Sequence, residues 1–282
     1  MVSTNTVSEV VSSSVARLPE SDSAVLDVQV LLSSVLGVER SFFYTWPDKK
    51  LTPEQLAAFE VLLQRRISGE PIAYIVGEQE FWSLPLSVAP STLIPRPETE
   101  LLVETILDRV ILPHARGIDL GTGTGAIALA LASEQPSWSI LGVDYSDEAV
   151  VLARTNQNKL ALTNVSFVQS SWLTNIDESW LQQCDFIVSN PPYIDESDPH
   201  LVEGDVRFEP HSALIAANNG LQDIIDITKQ SIHFLKPQGI LLFEHGFEQG
   251  KAVRSILESH HFNQVITLQD LAGLDRVTLG LR

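Results

Sequence analysis

The sequence predicts an α/β fold: a doubly wound, mostly parallel sheet with helices on both faces, preceded by a small helical bundle and a β-hairpin linker. Three observations carry this. From Gly117 onward, short β-branched runs alternate with helical stretches. A glycine-rich loop, Gly121-Thr122-Gly123-Thr124-Gly125, joins the first such run to the first helix. A later run, Phe186-Ile187-Val188, ends at Ser189-Asn190-Pro191-Pro192-Tyr193. Continuous apolar runs of this kind suit strands buried on both faces.

The elements follow in order. Residues 1–80 read as small helices. Val7, Val10, Val11 and Val15 recur at helical spacing. Ser21 or Asp22 caps a second helix that Gly37 ends after Leu36. Thr52-Pro53-Glu54-Gln55 is a helix start, with Thr as N-cap, Pro at the first position and Gln at the third. That helix runs to Ser68, with Gly69 beyond it. The bundle is either a packing module or a surface that selects a protein substrate, and the second reading is preferred. Residues 81–97 change texture, with Pro85, Pro90, Pro95 and Pro97 and the period-two pattern Leu84, Leu86, Val88. They predict a hairpin or extended linker. Residues 98–282 form the α/β domain, opened by a helix from Pro97-Glu98-Thr99-Glu100 to Val110.

Seven strands are expected there: Ile118–Leu120, Ser139–Val143, Val165–Val168, Phe186–Ser189, Ile240–Phe243, Val265–Leu268 and Val277–Leu281. Helices cover Ala126–Ser133, a stretch capped by Ser146 or Asp147 and ending at Leu160, Leu221–Leu235, and Val253–Glu258. Residues 194–220 have no clear period and read as a long functional loop, in which Glu209-Pro210 is a candidate cleft lining. Glu244-His245-Gly246 reads as the end of a strand.

The bulk properties restrict the class. The chain has 282 residues, is 44% hydrophobic and carries a net charge of -18. Such a balance argues against clamping nucleic acid through its phosphates. Cys184 stands alone, so no intrachain disulfide framework exists. No apolar run approaches the length of a membrane span, and residues 1–15 show no secretory pattern. A cytoplasmic, monomeric protein with no membrane or direct nucleic-acid partner is expected. The histidines show no metal-ligand spacing, so no metal site is expected.

Two stretches carry chemistry. Glycines at alternate positions let a ligand approach backbone N–H groups at a helix start. The spacing differs from the G-x-G-x-x-G of dinucleotide binders. Asp144 ends the next strand, where a carboxylate accepts from ribose hydroxyls. An S-adenosyl compound suits this pattern better than NAD. Asn190 stands past a strand that two prolines stop. Its amide, the Pro191 carbonyl and the Tyr193 ring could hold a planar NH2 group. The same residues, taken alone, also suit an ordinary Asn-Pro turn.

The run Asp119–Gly125 together with Asn190-Pro191-Pro192-Tyr193 resembles the class I S-adenosylmethionine methyltransferases that modify planar nitrogens. Gly69–Tyr74, Phe81–Leu86, Thr92–Glu100 and Asp275–Gly280 narrow the resemblance to the release factor glutamine methyltransferases. It runs from about Gly69 to the end of the chain. It implies N5-methylation of the glutamine in the Gly-Gly-Gln loop of class 1 peptide chain release factors, with S-adenosyl-L-methionine converted to S-adenosyl-L-homocysteine. It further implies that Gly121, Thr122, Gly123, Thr124, Gly125, Asp144, Trp172 and Asn190 hold the cofactor, and that Asn190, Pro191, Pro192 and Tyr193 hold the substrate glutamine. One departure stands out. Gln169-Ser170-Ser171 precedes Trp172 where many relatives carry an acid. The alternatives are a glutamine methyltransferase of a ribosomal protein, a DNA adenine N6-methyltransferase and a non-catalytic cofactor-binding scaffold. The acidic charge speaks against the DNA enzyme. Arg96, Glu98 and Glu100 are either part of a lid or the charges of a helix N-terminus.

Overall fold

A computed structural model describes residues 5–202 and 204–282. The chain divides into two units: Met1–Gly77 with Glu203–Phe208, and Glu78–Val202 with Glu209–Arg282.

The first unit is helical. Helix Val7–Val15 opens on a capping box between Thr6 and Glu9, and helix Pro53–Ile67 on one between Thr52 and Gln55. The second predicted helix begins later than expected, at Ala24, and ends at Gly37 with φ 64°. Neither Ser21 nor Asp22 caps it. The hydroxyls of Ser21 and Ser23 donate instead to the Asp27 carboxylate at 2.9 and 2.8 Å. Asp27 is buried and also binds Arg66 at 2.8 Å, so the hydroxyls complete the acceptor shell of a buried charge. Two short helices, Ser41–Thr45 and Ile72–Val76, escape sequence reading because one turn shows no periodicity. Val7, Leu31, Leu32 and Leu63 are fully buried in this unit's core.

The second unit begins with a hairpin of β1 (Glu78–Phe81) and β2 (Leu84–Ser87). Trp82 and Ser83 turn it with φ 52° and 58°. Residues 81–97 fall within this unit. Phe81 and Leu86 are buried in its core. Asn156 also binds Ser87 from both sides, accepting its N–H at 2.8 Å and donating to its carbonyl at 3.0 Å.

Seven strands make the sheet: β3 (Arg116–Leu120), β4 (Ser139–Asp144), β5 (Val165–Gln169), β6 (Cys184–Ser189), β7 (Leu235–Glu244), β8 (Asn263–Gln269) and β9 (Asp275–Leu281). Their order is β5-β4-β3-β6-β7-β9-β8, with β9 running opposite to the other six. Strand β6 is buried along its whole length, as its unbroken apolar run predicts. The buried Cys184 thiol, pushed up to about 12 by desolvation, is a core group. Among the described residues, no helix is long and apolar enough to cross a membrane.

Register is what positions chemistry here. Leu120 pairs with Val143 and with Ser189, and Ser189 pairs with Phe243. The carboxyl ends of β4, β3, β6 and β7 therefore lie level. Asp144, the Gly121 loop, Asn190 and Glu244 emerge side by side. The chain order reverses between β3 and β6, the switch point where open α/β sheets bind ligands.

Candidate active site

A cleft of about 310 Å³ opens at this switch point. Gly121, Thr122, Gly123 and Thr124 line it with Asp144, Trp172, Asn190 and Pro192. Gly121 and Gly123 have φ 71° and 54°, conformations that favour glycine. A Cβ on Gly123 would meet only Thr92, at 3.9 Å, so the loop leaves open space at that point.

The loop is held from below by carboxylates. Asp144 Oδ2 accepts the Gly123 N–H at 2.9 Å, and Oδ1 accepts the Ser146 N–H at 2.9 Å. Each oxygen keeps a second acceptor position for another donor. Burial raises the Asp144 carboxyl above its ordinary range, against backbone N–H bonds that lower it. Asp119 lies deeper. Its Oδ2 accepts from the Thr122 hydroxyl at 2.6 Å and the Ala128 N–H at 3.2 Å. Its Oδ1 is buried without a partner. Burial, aided by the charge of Asp144, pushes Asp119 up to about 7.

Trp172 stands with φ 49°, uncommon for a bulky residue. Its ring lies 3.5 Å from where a Gly121 Cβ would be. Its indole neighbours Asp223, a cleft residue whose carboxyl is raised by burial. Sequence reading missed Asp223, which follows a long irregular loop and sits in the first turn of helix Gln222–Ser231. A carboxylate thus stands beside the aromatic ring even though Ser171 precedes Trp172.

The second wall is the corner after β6. The Ser189 hydroxyl donates to the Leu120 carbonyl at 2.7 Å and ties β6 to the start of the loop. Asn190 donates from Nδ2 to Thr99 Oγ1 at 3.2 Å. Gln249 donates to the Tyr193 carbonyl at 3.0 Å. Gly220, with φ 76°, passes so close that a Cβ there would collide with that carbonyl. The Tyr193 hydroxyl is raised well above its ordinary range, mainly by burial and then by the charge of Glu244.

Three expected site residues do not line the cleft: Gly125, Pro191 and Tyr193. Gly125 faces the core. A Cβ there would meet Leu129, Phe167 and Ala153 within 3.2 Å, so its freedom serves helix packing. Pro191 is buried and Tyr193 is half-buried behind the cleft wall. Glu209, a candidate lining residue, is buried too; both its oxygens take Arg96 Nη2 at 2.8 Å. Arg96 lines the cleft, so this ion pair anchors the long loop to the cleft wall. Glu244 is 2% exposed, with Oε2 lacking a partner, where the sequence showed only a strand end.

An S-adenosyl compound fits this donor set. The open space above Gly123 admits the ligand, and Asp144 has acceptor positions for a diol. Trp172 offers an apolar face. Asp144 and Asp223 line the cleft and give the acidic surroundings that a sulfonium and an ammonium group favour.

Comparison with known proteins agrees. The family described as PrmC N-terminal domain matches residues 9–77, and the family described as methyltransferase domain matches residues 111–270. A release factor glutamine methyltransferase of Vibrio cholerae is 57% identical over 92% of this chain and 90% of its own length. One of Aliivibrio fischeri is 55% identical over 93% and 92%. A methyltransferase structure from Pyrococcus furiosus superposes with a TM-score of 0.52 at 16% identity, covering 77% of this chain and 95% of that one, which supports the fold alone. The chain belongs to the release factor glutamine methyltransferases, enzymes that use S-adenosyl-L-methionine.

Proposed function

We propose that this protein transfers a methyl group to the side-chain amide nitrogen of the glutamine in the Gly-Gly-Gln motif of class 1 release factors. One observation carries the reading: Asn190 stands on the cleft wall, level with Asp144, with its amide nitrogen already engaged by Thr99. That bond leaves Asn190 Oδ1 as an acceptor.

An amide nitrogen is a weak nucleophile because its lone pair is delocalised. S-adenosylmethionine, when bound, supplies a methyl group already activated on a sulfonium. The protein's task is then to aim the nitrogen and to favour the charge that develops on it. Asn190 Oδ1 accepts one of the amide hydrogens from the cleft wall. The Pro191-Pro192 pair stiffens the corner that carries Asn190. Gly121 to Gly123, Asp144, Asp223 and Trp172 hold the cofactor on the other wall. No strong base is required, because the product sheds its proton to water.

The helical unit selects the release factor, and the enzyme works as a cytoplasmic monomer. Mass spectrometry of purified release factor after incubation with this protein and S-adenosylmethionine tests the reading. One added methyl on the Gly-Gly-Gln peptide is expected. A methyl confined to a ribosomal protein or to DNA adenine would refute it.

A further inference from the structure

We infer that Thr99 and Glu244 are positioning residues that fix which way the Asn190 amide faces. The inference rests on Asn190 holding the substrate amide. Three side chains from distant segments line up as a chain at this corner. Thr99 closes the 3-10 turn Pro97–Thr99 and is 5% exposed. Its hydroxyl faces the carboxyl of Glu244, which ends β7, is 2% exposed and has Oε2 without a partner. Its oxygen accepts from Asn190 Nδ2 at 3.2 Å.

The direction of this chain follows from proton counting. A carboxylate can only accept. The Thr99 hydroxyl has a single proton, and in this inference it goes to Glu244, a buried carboxyl with an unpartnered oxygen. Thr99 can then only accept from Asn190. The Asn190 amide must turn its NH2 toward Thr99 and its oxygen away. Without a carboxylate at Glu244, the Thr99 proton is free to point at Asn190, and both amide orientations become satisfiable. An amide turned the wrong way presents a donor to a substrate NH2 group, which is a repulsive pairing.

The groups around Glu244 support this. Arg276 from β9 and Arg96 from the preceding segment favour its charge, while Glu98 and the buried setting oppose it. Tyr193 faces it from the corner. Burial pushes Glu244 up to about 7. Above that value Glu244 is an acceptor and the orientation is fixed. Below it, the protonated carboxyl donates to Thr99 and the constraint is released. Turnover should therefore fall as pH falls through about 7.

The test compares Thr99→Val, Thr99→Ser, Glu244→Gln and Asn190→Ala in methylation of purified release factor at saturating S-adenosylmethionine. Thermal melts and calorimetric cofactor affinity are taken for each. Thr99→Val should lower kcat about 10-fold or more, the scale expected for disturbing a buried hydrogen bond. Release factor KM and cofactor Kd should stay near wild type. Thr99→Ser, which keeps the hydroxyl, should restore most of the turnover. Glu244→Gln should lower kcat and flatten its fall below about pH 7. Wild-type kcat in both Thr99→Val and Glu244→Gln, with Asn190→Ala inactive, would overturn the inference and leave the reading of Asn190 intact. Full activity in Asn190→Ala would overturn both. If Thr99→Val fails to fold, Glu244→Gln and its pH profile decide alone.

Discussion

The glycine loop after β3 and the Asn-Pro-Pro-Tyr corner after β6 stand on adjacent strand ends, but they are built differently. The loop is held by its own neighbourhood. Asp119, Thr122, Gly123 and Asp144 span one strand, one turn and the next strand, and they bond to each other. The corner is held from far away. Thr99 is 91 residues from Asn190, and Gln249 is 56 residues from Tyr193. A cofactor is the same molecule at every turnover, so a prebuilt local cradle suffices. The amide nitrogen must be aimed to within about 0.5 Å, so its holder is braced from several directions.

This contrast orders the expected mutational effects. Gly123→Val should be the most damaging on the cofactor side. The side chain would fill the open space above the loop and force a β-branched residue to φ 54°. Calorimetry should detect no S-adenosylmethionine binding, and Tm should drop by a few degrees. Normal binding would mean the loop does not approach the ligand. Asp144→Ala comes next. Two bonds to a charged acceptor, about 1.5–3 kcal/mol each, would be lost, so Kd should rise at least about 100-fold. Unchanged affinity would remove Asp144 from the site.

Asp119→Asn sharpens the contrast through stability. The folded-state pKa of Asp119, about 7, lies above its ordinary value of 3.8. Between these values the folded chain holds a proton that the unfolded chain has released. Stability of the ligand-free protein therefore falls as pH rises through that window. Thermal melts should show a shallower fall in Asp119→Asn than in wild type. Equal slopes would mean that the buried carboxylate imposes no such penalty. Tyr193→Phe should be mildest, lowering kcat about 2- to 5-fold, because only the hydroxyl is removed while the ring remains. A collapse of turnover would assign the hydroxyl a direct role.

The same contrast explains what the sequence reveals. Strand and helix alternation is legible because each strand is a short apolar run and each helix has a periodic face. The cradle is legible because its parts are contiguous and glycine has few reasons to recur at alternate positions. Asn190 is legible because two prolines mark the strand end. Thr99, Glu244 and Asp223 are not. Each occupies a place where its residue type is ordinary, and only the level register of β6 and β7 brings Glu244 toward Asn190. Gly125 misleads for the opposite reason: it continues the spacing of the loop but serves the core.

The central claim is that one wall binds the cofactor while the other aims the amide. The most direct test measures cofactor Kd and saturating kcat together on Asn190→Ala. The account predicts a kcat at least about 100-fold below wild type, the scale seen when a single transition-state contact is removed. Cofactor Kd should change by no more than about 5-fold, since one contact at the methionine end is all it can lose. Turnover near the wild-type rate with both substrates saturating would contradict it.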